Sequence, residues 1–371
     1  MNLSDDSMIT IRDLSYSRAL LLKSQLEAMG VVCYLSNHQT GLATADLHLE
    51  ASMALQATQL LESSKMQGFH GKEAAVKRLR GVRRILVPVD FSERSVKAAH
   101  YALELARRLK AEIKLLHVWF SGAGESFIFN EMFAFQTDLE PVMREMEQQA
   151  MDKLTELADI LNSRIRAERM RGVKLGLDLV RGNAVDSILE IASDYQPGLI
   201  VMGTRGKNRD ALSLMGSTTS RLIAKSSFPV LAVPEGYDIS KFFAPHKVAY
   251  ITHFDENDFF AMHRLITFVK PFKAQIFCLH LLSKPDAEVD RLRMKQLREY
   301  FNTNCAATTI ECGLIETAEP VGGVEAFVQE KQVDVIAILF RKRNLLEQLF
   351  EPSLTRKLLY QTHLPLLVFS E

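Results

Sequence analysis

The sequence predicts an α/β chain in which two doubly wound, five-stranded parallel-sheet domains follow a small α+β domain. Short apolar runs such as Ile85-Leu86-Val87-Pro88-Val89 and Leu199-Ile200-Val201-Met202 alternate with stretches of helical spacing, which implies parallel β-α-β units. The pattern of residues 84–235 recurs over residues 246–371. A chain of 371 residues is also too long for one core and suits two or three units of ordinary size.

Residues 1–64 form the small first unit. Ile9-Thr10-Ile11 reads as a strand. Tyr16 to Met29 is a helix with Leu20, Leu21, Leu22 and Leu26 at helical spacing, stopped by Gly30. Val31 to Leu35 and Leu47-His48-Leu49 read as strands, and Met53 to Leu61 as a second helix. A unit this small needs a neighbour or a second chain to dock on. Residues 65–83 are a basic linker carrying Lys72, Lys77, Arg78, Arg80 and Arg83. A charge run of this kind reads as a solvated face before it reads as a patch for nucleic acid.

In the first large domain, residues 84–235, Ile85 to Val89 is strand one, and Ser92 caps a helix with Val96, Ala99, Leu103 and Ala106 on one stripe. Ile113 to Val118, Lys174 to Val180, Leu199 to Met202 and Val230 to Val233 are strands two to five, with a helix over Val185 to Tyr195. The insertion Phe120 to Arg171 carries a helix over Pro141 to Ile165 whose apolar set is Met143, Met146, Leu154, Leu157, Ile160 and Leu161. Ahead of it, Phe127, Phe129, Phe133 and Phe135 read as satellite core, with a lid or a partner surface as the alternative.

The residues that carry chemistry gather where strands end. Gly203-Thr204-Arg205-Gly206 follows strand four, and Gly216-Ser217-Thr218-Thr219 opens the next helix. Gly203 reads as the strand's last residue, where a missing Cβ lets a nucleotide lie on the backbone, and Gly206 as the turn that follows. Gly216 admits a phosphate to the helix start, where free N–H groups and the helix dipole favour an anion and the three hydroxyls add donors. Arg205 and Lys207 flank this cradle; Lys207-Asn208 after Gly206 rules out a Walker loop. In a doubly wound sheet the ligand lies beyond the carboxyl ends of the strands, and Asp90, His117, Val118, Met202 and Gly203 fall there.

Two glycines three apart, a third ten residues on and then hydroxyls, all behind an apolar strand, resemble the signature of ATP-binding members of the universal stress protein family. Ile85 to Ser92 resembles that family's first strand and turn, and Phe228 to Pro234 its last strand. The resemblance implies a Rossmann-like or flavodoxin-like fold and ATP, with or without magnesium, as ligand. It implies Pro88, Val89, Asp90, His117, Val118, Met202, Gly203, Arg205, Gly206, Gly216, Ser217, Thr218 and Thr219 as the binding residues, with Asp90 near the ribose or a metal. The other reading of Asp90 is a turn or helix-cap aspartate. The first unit, by pattern, resembles a small signal-transducing domain with a ferredoxin-like half fold.

Over residues 246–371 the strand pattern persists but the cradle does not. Aligned on the first copy, Pro88 becomes Ile251, Asp90 becomes His253, Gly203 becomes Leu339, Gly206 becomes Lys342 and Gly216 becomes Pro352, leaving Ser353 and Thr355 of the hydroxyls. A leucine fills the nucleotide's space and a proline removes an N–H, so one ATP per chain is expected. Both copies end in an apolar strand, Val230 to Val233 and Leu366 to Phe369, either of which alone would be a sticky edge. Strand five is therefore expected to meet strand five within the chain, as subunits pair in the family's dimers.

Composition excludes several classes. Lysine plus arginine balance aspartate plus glutamate at 45 each, so no overall basic field draws nucleic acid or an anionic membrane. No apolar run reaches bilayer length and the acidic start has no signal-peptide core, so a cytoplasmic protein is expected. The four cysteines, Cys33, Cys278, Cys305 and Cys312, are too scattered for a disulfide framework or a CxxC metal site and read as buried thiols. Neither HExxH nor G-x-S-x-G occurs, and no nucleophile pairs with a base, so an enzyme is not expected. The leading expectation is an ATP-binding stress-response sensor acting on a protein partner or a second copy. An ATP-independent scaffold and a slow ATPase or phosphotransferase using Asp90 are the alternatives.

Overall fold

A computed structural model describes residues 8–15, 33–36, 44–50, 81–119, 140–204, 217–238, 245–254, 256–282, 287–305, 308–317, 319–340 and 363–370, together with Ala19, Lys23 and Leu26. In chain order the elements are β1 (Met8–Ser15), β2 (Cys33–Ser36), β3 (Thr44–Glu50), β4 (Arg84–Pro88), α1 (Glu93–Leu109), β5 (Glu112–Trp119), α2 (Glu140–Ala167), β6 (Lys174–Arg181), α3 (Ala184–Tyr195), β7 (Leu199–Thr204), α4 (Ser217–Lys225) and β8 (Val230–Pro234). There follow β9 (Lys247–Ile251), α5 (Glu256–Val269), β10 (Gln275–Leu282), α6 (Ala287–Asn304), β11 (Ile310–Glu316), α7 (Pro320–Lys331), β12 (Val335–Phe340) and β13 (Leu366–Ser370). The chain forms two compact units, one of Met1–Leu79, Ile251–Thr267 and Gln275–Ala318, the other of Arg80–Tyr250, Phe268–Ala274 and Glu319–Glu371.

The unit that begins at Arg80 is built on a sheet in the order β9-β12-β13-β8-β7-β4-β5-β6. Pairs β4–β5, β4–β7, β5–β6, β7–β8 and β12–β13 are parallel. The alternation of strand and helix in the sequence dictates this, because a crossover helix returns the chain in the same direction. From β4 the chain steps outward to β5 and β6, then crosses to β7 and β8 on the other side, so strand order reverses between β4 and β7. The central strands are apolar along their whole length: Ile85, Leu86, Val87, Ile200, Val201 and Val230 are completely buried, as strands covered on both faces must be.

Several sequence expectations change here. β7 runs on through Gly203 to Thr204, paired with Val233 and Pro234, so Gly203 sits inside a strand and does not end it. The helix of the insertion buries Ala150, Leu154, Leu157, Ala158 and Leu161. Met146 and Ile160, assigned to its apolar set, are 40% and 51% exposed. Ile160 lies about 100° round the helix from that stripe, and nothing between Glu140 and Gln149 is buried. In β6 the alternating leucines do not all turn inward: this strand ends the order beside β5, and Leu177 is left exposed. The four phenylalanines of the insertion, the helix over Met53 to Leu61 and most of the basic linker lie outside the described residues.

The two apolar strands expected to cover one another do meet. β13 pairs β8 antiparallel, with Leu366 opposite Ala232, Leu367 opposite Leu231 and Val368 opposite Val230. All six side chains are buried, so each strand covers the other's apolar edge.

In the other compact unit, β1, β3 and β2 form a three-stranded antiparallel sheet with Leu47, Leu49 and Cys33 buried. β10 and β11 pair in parallel. Beside them α5 and α6 share an aromatic cluster in which Phe259 meets Tyr300 edge-on at 4.6 Å. Within it, His263 Nε2 is hydrogen-bonded to Tyr300 Oη at 2.9 Å.

Candidate functional site

A cleft opens at the carboxyl ends of β4, β5 and β7, where strand order reverses. Its wall is apolar, from Pro88, Val89, Leu116, Val118, Ile188 and Met202. Its polar side comes from Asp90, Ser92, Arg94 and Ser95 at the start of α1 and from Thr218 and Thr219 in the first turn of α4. Gly203 completes the floor.

The turn after β4 is held in a special conformation. Phe91 adopts a left-handed φ of 61°, uncommon for a residue with a bulky side chain. Asp90 Oδ1 accepts from the Ser92 amide at 3.1 Å and from the Ser92 hydroxyl at 2.5 Å, an Asx-type turn. The Asp90 amide donates to Ser95 Oγ at 3.2 Å. Ser92 caps α1, its hydroxyl accepting from the Ser95 amide at 3.3 Å. Burial pushes the Asp90 carboxyl up, but the hydrogen bonds from Ser92 and Ser95 and the charge of Arg94 together hold it below its usual range. Asp90 is thus an ionised turn aspartate, the turn role weighed for it from sequence, and it also lines the cleft.

His117 sits behind the turn that borders the cleft. Its Nδ1 lies 2.7 Å from the Val89 carbonyl, and its ring packs on Phe91 at 4.3 Å. It is not among the residues lining the cleft, so its contact with the site is through the Val89–Phe91 turn. The other compact unit holds the same arrangement at the same spacing: His280 Nδ1 lies 2.8 Å from the Thr252 carbonyl, its ring packs on Phe254 at 4.2 Å, and Phe254 has φ 62°. There the second ring nitrogen of His280 meets Asp290 at 3.2 Å. Leu339, which the sequence reading aligns with Gly203, lies in β12 of the unit that begins at Arg80 and is 4% exposed.

The Gly203 side of the cleft has a physical reason that differs from the expected one. A Cβ on Gly203 would stand 2.6 Å from the Arg94 carbonyl oxygen and 2.7 Å from its carbon. The glycine is therefore demanded by the close approach of α1 to β7. The small stripe of α1, with Ala98, Ala99 and Ala102 fully buried, makes that approach possible. Gly203→Ala is expected to lower stability by about 1–3 kcal/mol, because backbone and not a flexible side chain must yield. Gly176→Ala in β6, whose nearest neighbour would be 3.9 Å away, is the control and should change little. Urea unfolding of both variants measures the difference.

Thr219 and Thr218 divide their work. The Thr219 hydroxyl is buried and donates to the Gly203 carbonyl at 3.2 Å, tying α4 to β7. Thr218 is half-buried on the cleft. Arg205, Gly206 and Gly216, and the side chain of Ser217, lie outside the described residues. The structure thus brings together Pro88, Val89, Asp90, Val118, Met202, Gly203, Thr218 and Thr219. Sequence reading missed Arg94, Ser95, Leu116, Ala184 and Ile188, and took Ser92 only as a helix cap. The first two were within reach, since they lie in the turn after the Ser92 cap. Ala184 and Ile188, on α3, carry no local signal. Among the described residues no group of three histidine, cysteine or acidic side chains could hold a metal ion, and no helix is long and apolar enough to cross a membrane.

Comparison with known proteins agrees with this architecture. Residues 81–234 match the model of the universal stress protein family. A universal stress protein of Methanocaldococcus jannaschii is 33% identical over 153 residues, covering 41% of this chain and 94% of the relative. The chain belongs to the universal stress protein family. A second universal stress protein of the same organism is 28% identical over 151 residues, 41% of this chain and 81% of the relative. The crystal structure of a universal stress protein from Archaeoglobus fulgidus aligns with a TM-score of 0.61 at 19% identity, covering 77% of this chain and 98% of that one, a likeness of fold that reaches well past residue 234. This universal stress protein therefore places its cleft where the family domain lies, with every lining residue between Pro88 and Thr219.

Proposed function

We propose that this universal stress protein binds one ATP per chain, in the cleft at the ends of β4, β5 and β7, and works as a nucleotide-dependent sensor in the cytoplasm. The observation that supports it most is that one cleft combines an apolar slot, an ionised Asp90, the Arg94 cation and the first turn of α4. Those parts match the ligand's: the slot suits a flat base, Asp90 a ribose hydroxyl, and a helix start with Thr218 suits phosphates. Arg205, Gly206, Gly216 and Ser217 complete the phosphate cradle in this reading. Magnesium, if bound, would add charge neutralisation at the phosphates, and Asp90 is the carboxylate lining the cleft that could face it. No catalytic step is assigned in this reading, in which Asp90 Oδ1, engaged by the Ser92 amide and hydroxyl, serves the turn and the ligand.

In the same reading residues 246–371 are a second copy that has lost the site. The repeated Phe254 and His280 geometry supports common ancestry of the turn, and buried Leu339 in place of Gly203 supports the loss.

ATP at about a hundred times its dissociation constant should stabilise the chain by roughly 2.7 kcal/mol and raise its melting temperature by several degrees. Thr218→Val should shrink that shift, since a hydrogen bond to a charged group contributes about 1.5–3 kcal/mol. Calorimetric titration should give one site. No shift at saturating ATP would hand the function to the scaffold reading, and bound nucleotide recovered as ADP would favour the slow ATPase.

A further inference from the structure

We propose that Cys278 and Cys312 are a peroxide-sensitive dithiol that closes to an intrachain disulfide. β10 and β11 pair in parallel with Cys278 opposite Cys312. Directly paired residues of neighbouring strands point to the same face, and strands lie about 4.8 Å apart. That separation falls inside the roughly 4.4–6.8 Å range of Cα distances that a disulfide spans. The two thiols are hydrogen-bonded to each other.

The pair is asymmetric in the way a nucleophile and a resolving thiol differ. Cys278 is fully enclosed, and burial drives its thiol well above the usual range. Cys312 is 7% exposed and lies on β11, the last strand in its order. The hydrogen bond with Cys278, followed by the charge of Arg298, lowers its thiol in spite of burial. Arg298 Nη2 also donates to the Cys312 carbonyl at 2.6 Å, which fixes that charge beside the strand. A thiolate so favoured is the reactive form of cysteine. The remaining cysteines lack this setting: Cys33 donates its S–H to the Lys23 carbonyl at 3.7 Å, and burial pushes the Cys305 thiol up to about 11.

The chemistry balances with a hydroperoxide as oxidant. The Cys312 thiolate attacks one peroxide oxygen, the O–O bond breaks, and the leaving oxygen departs as water or alcohol after taking a proton. Cys312 is then a sulfenic acid, two electrons poorer. Cys278 sulfur attacks it, the S–S bond forms, the S–O bond breaks, and water leaves carrying the Cys278 proton.

The test uses the reduced, full-length protein, hydrogen peroxide, and alkylation before digestion. The expected result is a linked Cys278–Cys312 peptide pair, two hydrogen atoms lighter than the separate thiols, formed on the order of tenfold faster than any change at Cys305 and reversed by dithiothreitol. In Cys278→Ser, Cys312 should be trapped as its sulfenic acid by dimedone; in Cys312→Ser, Cys278 should stay unmodified. The wild-type mapping stands alone if a variant misfolds. Oxidation of Cys33 or Cys305 ahead of the pair, or a pair that reacts only after denaturation, would overturn the proposal.

Discussion

Acidification from pH 6.5 to about 4 is expected to remove about 3 kcal/mol of stability through one side chain, His263. Its imidazole lies in the aromatic cluster of α5 and α6, edge-on to Tyr300 and beside Phe259 and Phe301. Burial lowers its pKa from 6.5 to about 4, because an enclosed imidazolium loses its hydration. The folded value is depressed, so the unfolded chain takes up the proton first as pH falls. The stability at stake is intact above 6.5 and drains away between 6.5 and about 4. At about 1.36 kcal/mol per pH unit that window amounts to about 3 kcal/mol. Asp90, also depressed, acts in a lower window, where its own protonation begins below its ordinary 3.8. Urea unfolding at pH 7 and pH 4.5 should show the loss in the wild type and much less of it in His263→Phe. An equal slope in both would mean that the acid response belongs to other groups.

Leu367→Ala should cost about 2–5 kcal/mol, the range for a leucine truncated in a core that cannot collapse. Leu367 faces Leu231 across the β8–β13 ladder, and both are only 1% exposed. The sheet backbone on both sides is paired, so the cavity stays open. The same substitution at Leu177, on the exposed side of β6, should fall within about 0.5 kcal/mol. Equilibrium unfolding in urea compares them directly. A small effect at Leu367 would show that the two end strands hold each other by backbone bonds alone.

These expectations separate what the chain announces locally from what it conceals. Strand and helix order, the Ser92 cap, and the burial of runs such as Ile85 to Val87 and Val230 to Val233 were legible in the sequence, since polarity patterns over a few residues decide them. The meeting of β8 and β13 could be inferred too, because two apolar edges demand cover. Much of the cleft's location was readable for a related reason: doubly wound sheets put ligands where strand order reverses, and Asp90, Met202 and Gly203 mark those ends. What each residue does there was not readable. Gly203 is required by the Arg94 carbonyl, Thr219 is spent on the Gly203 carbonyl, and His117 turns to the Val89 carbonyl. Ala184 and Ile188 reach the cleft from a helix far along the chain, and Cys278 becomes the neighbour of Cys312 only through the register of two parallel strands. Sequence alone determined which segments form strands and helices, because backbone preference and side-chain polarity are local properties. Tertiary structure decided which atoms touch, because packing distance depends on partners remote in the chain.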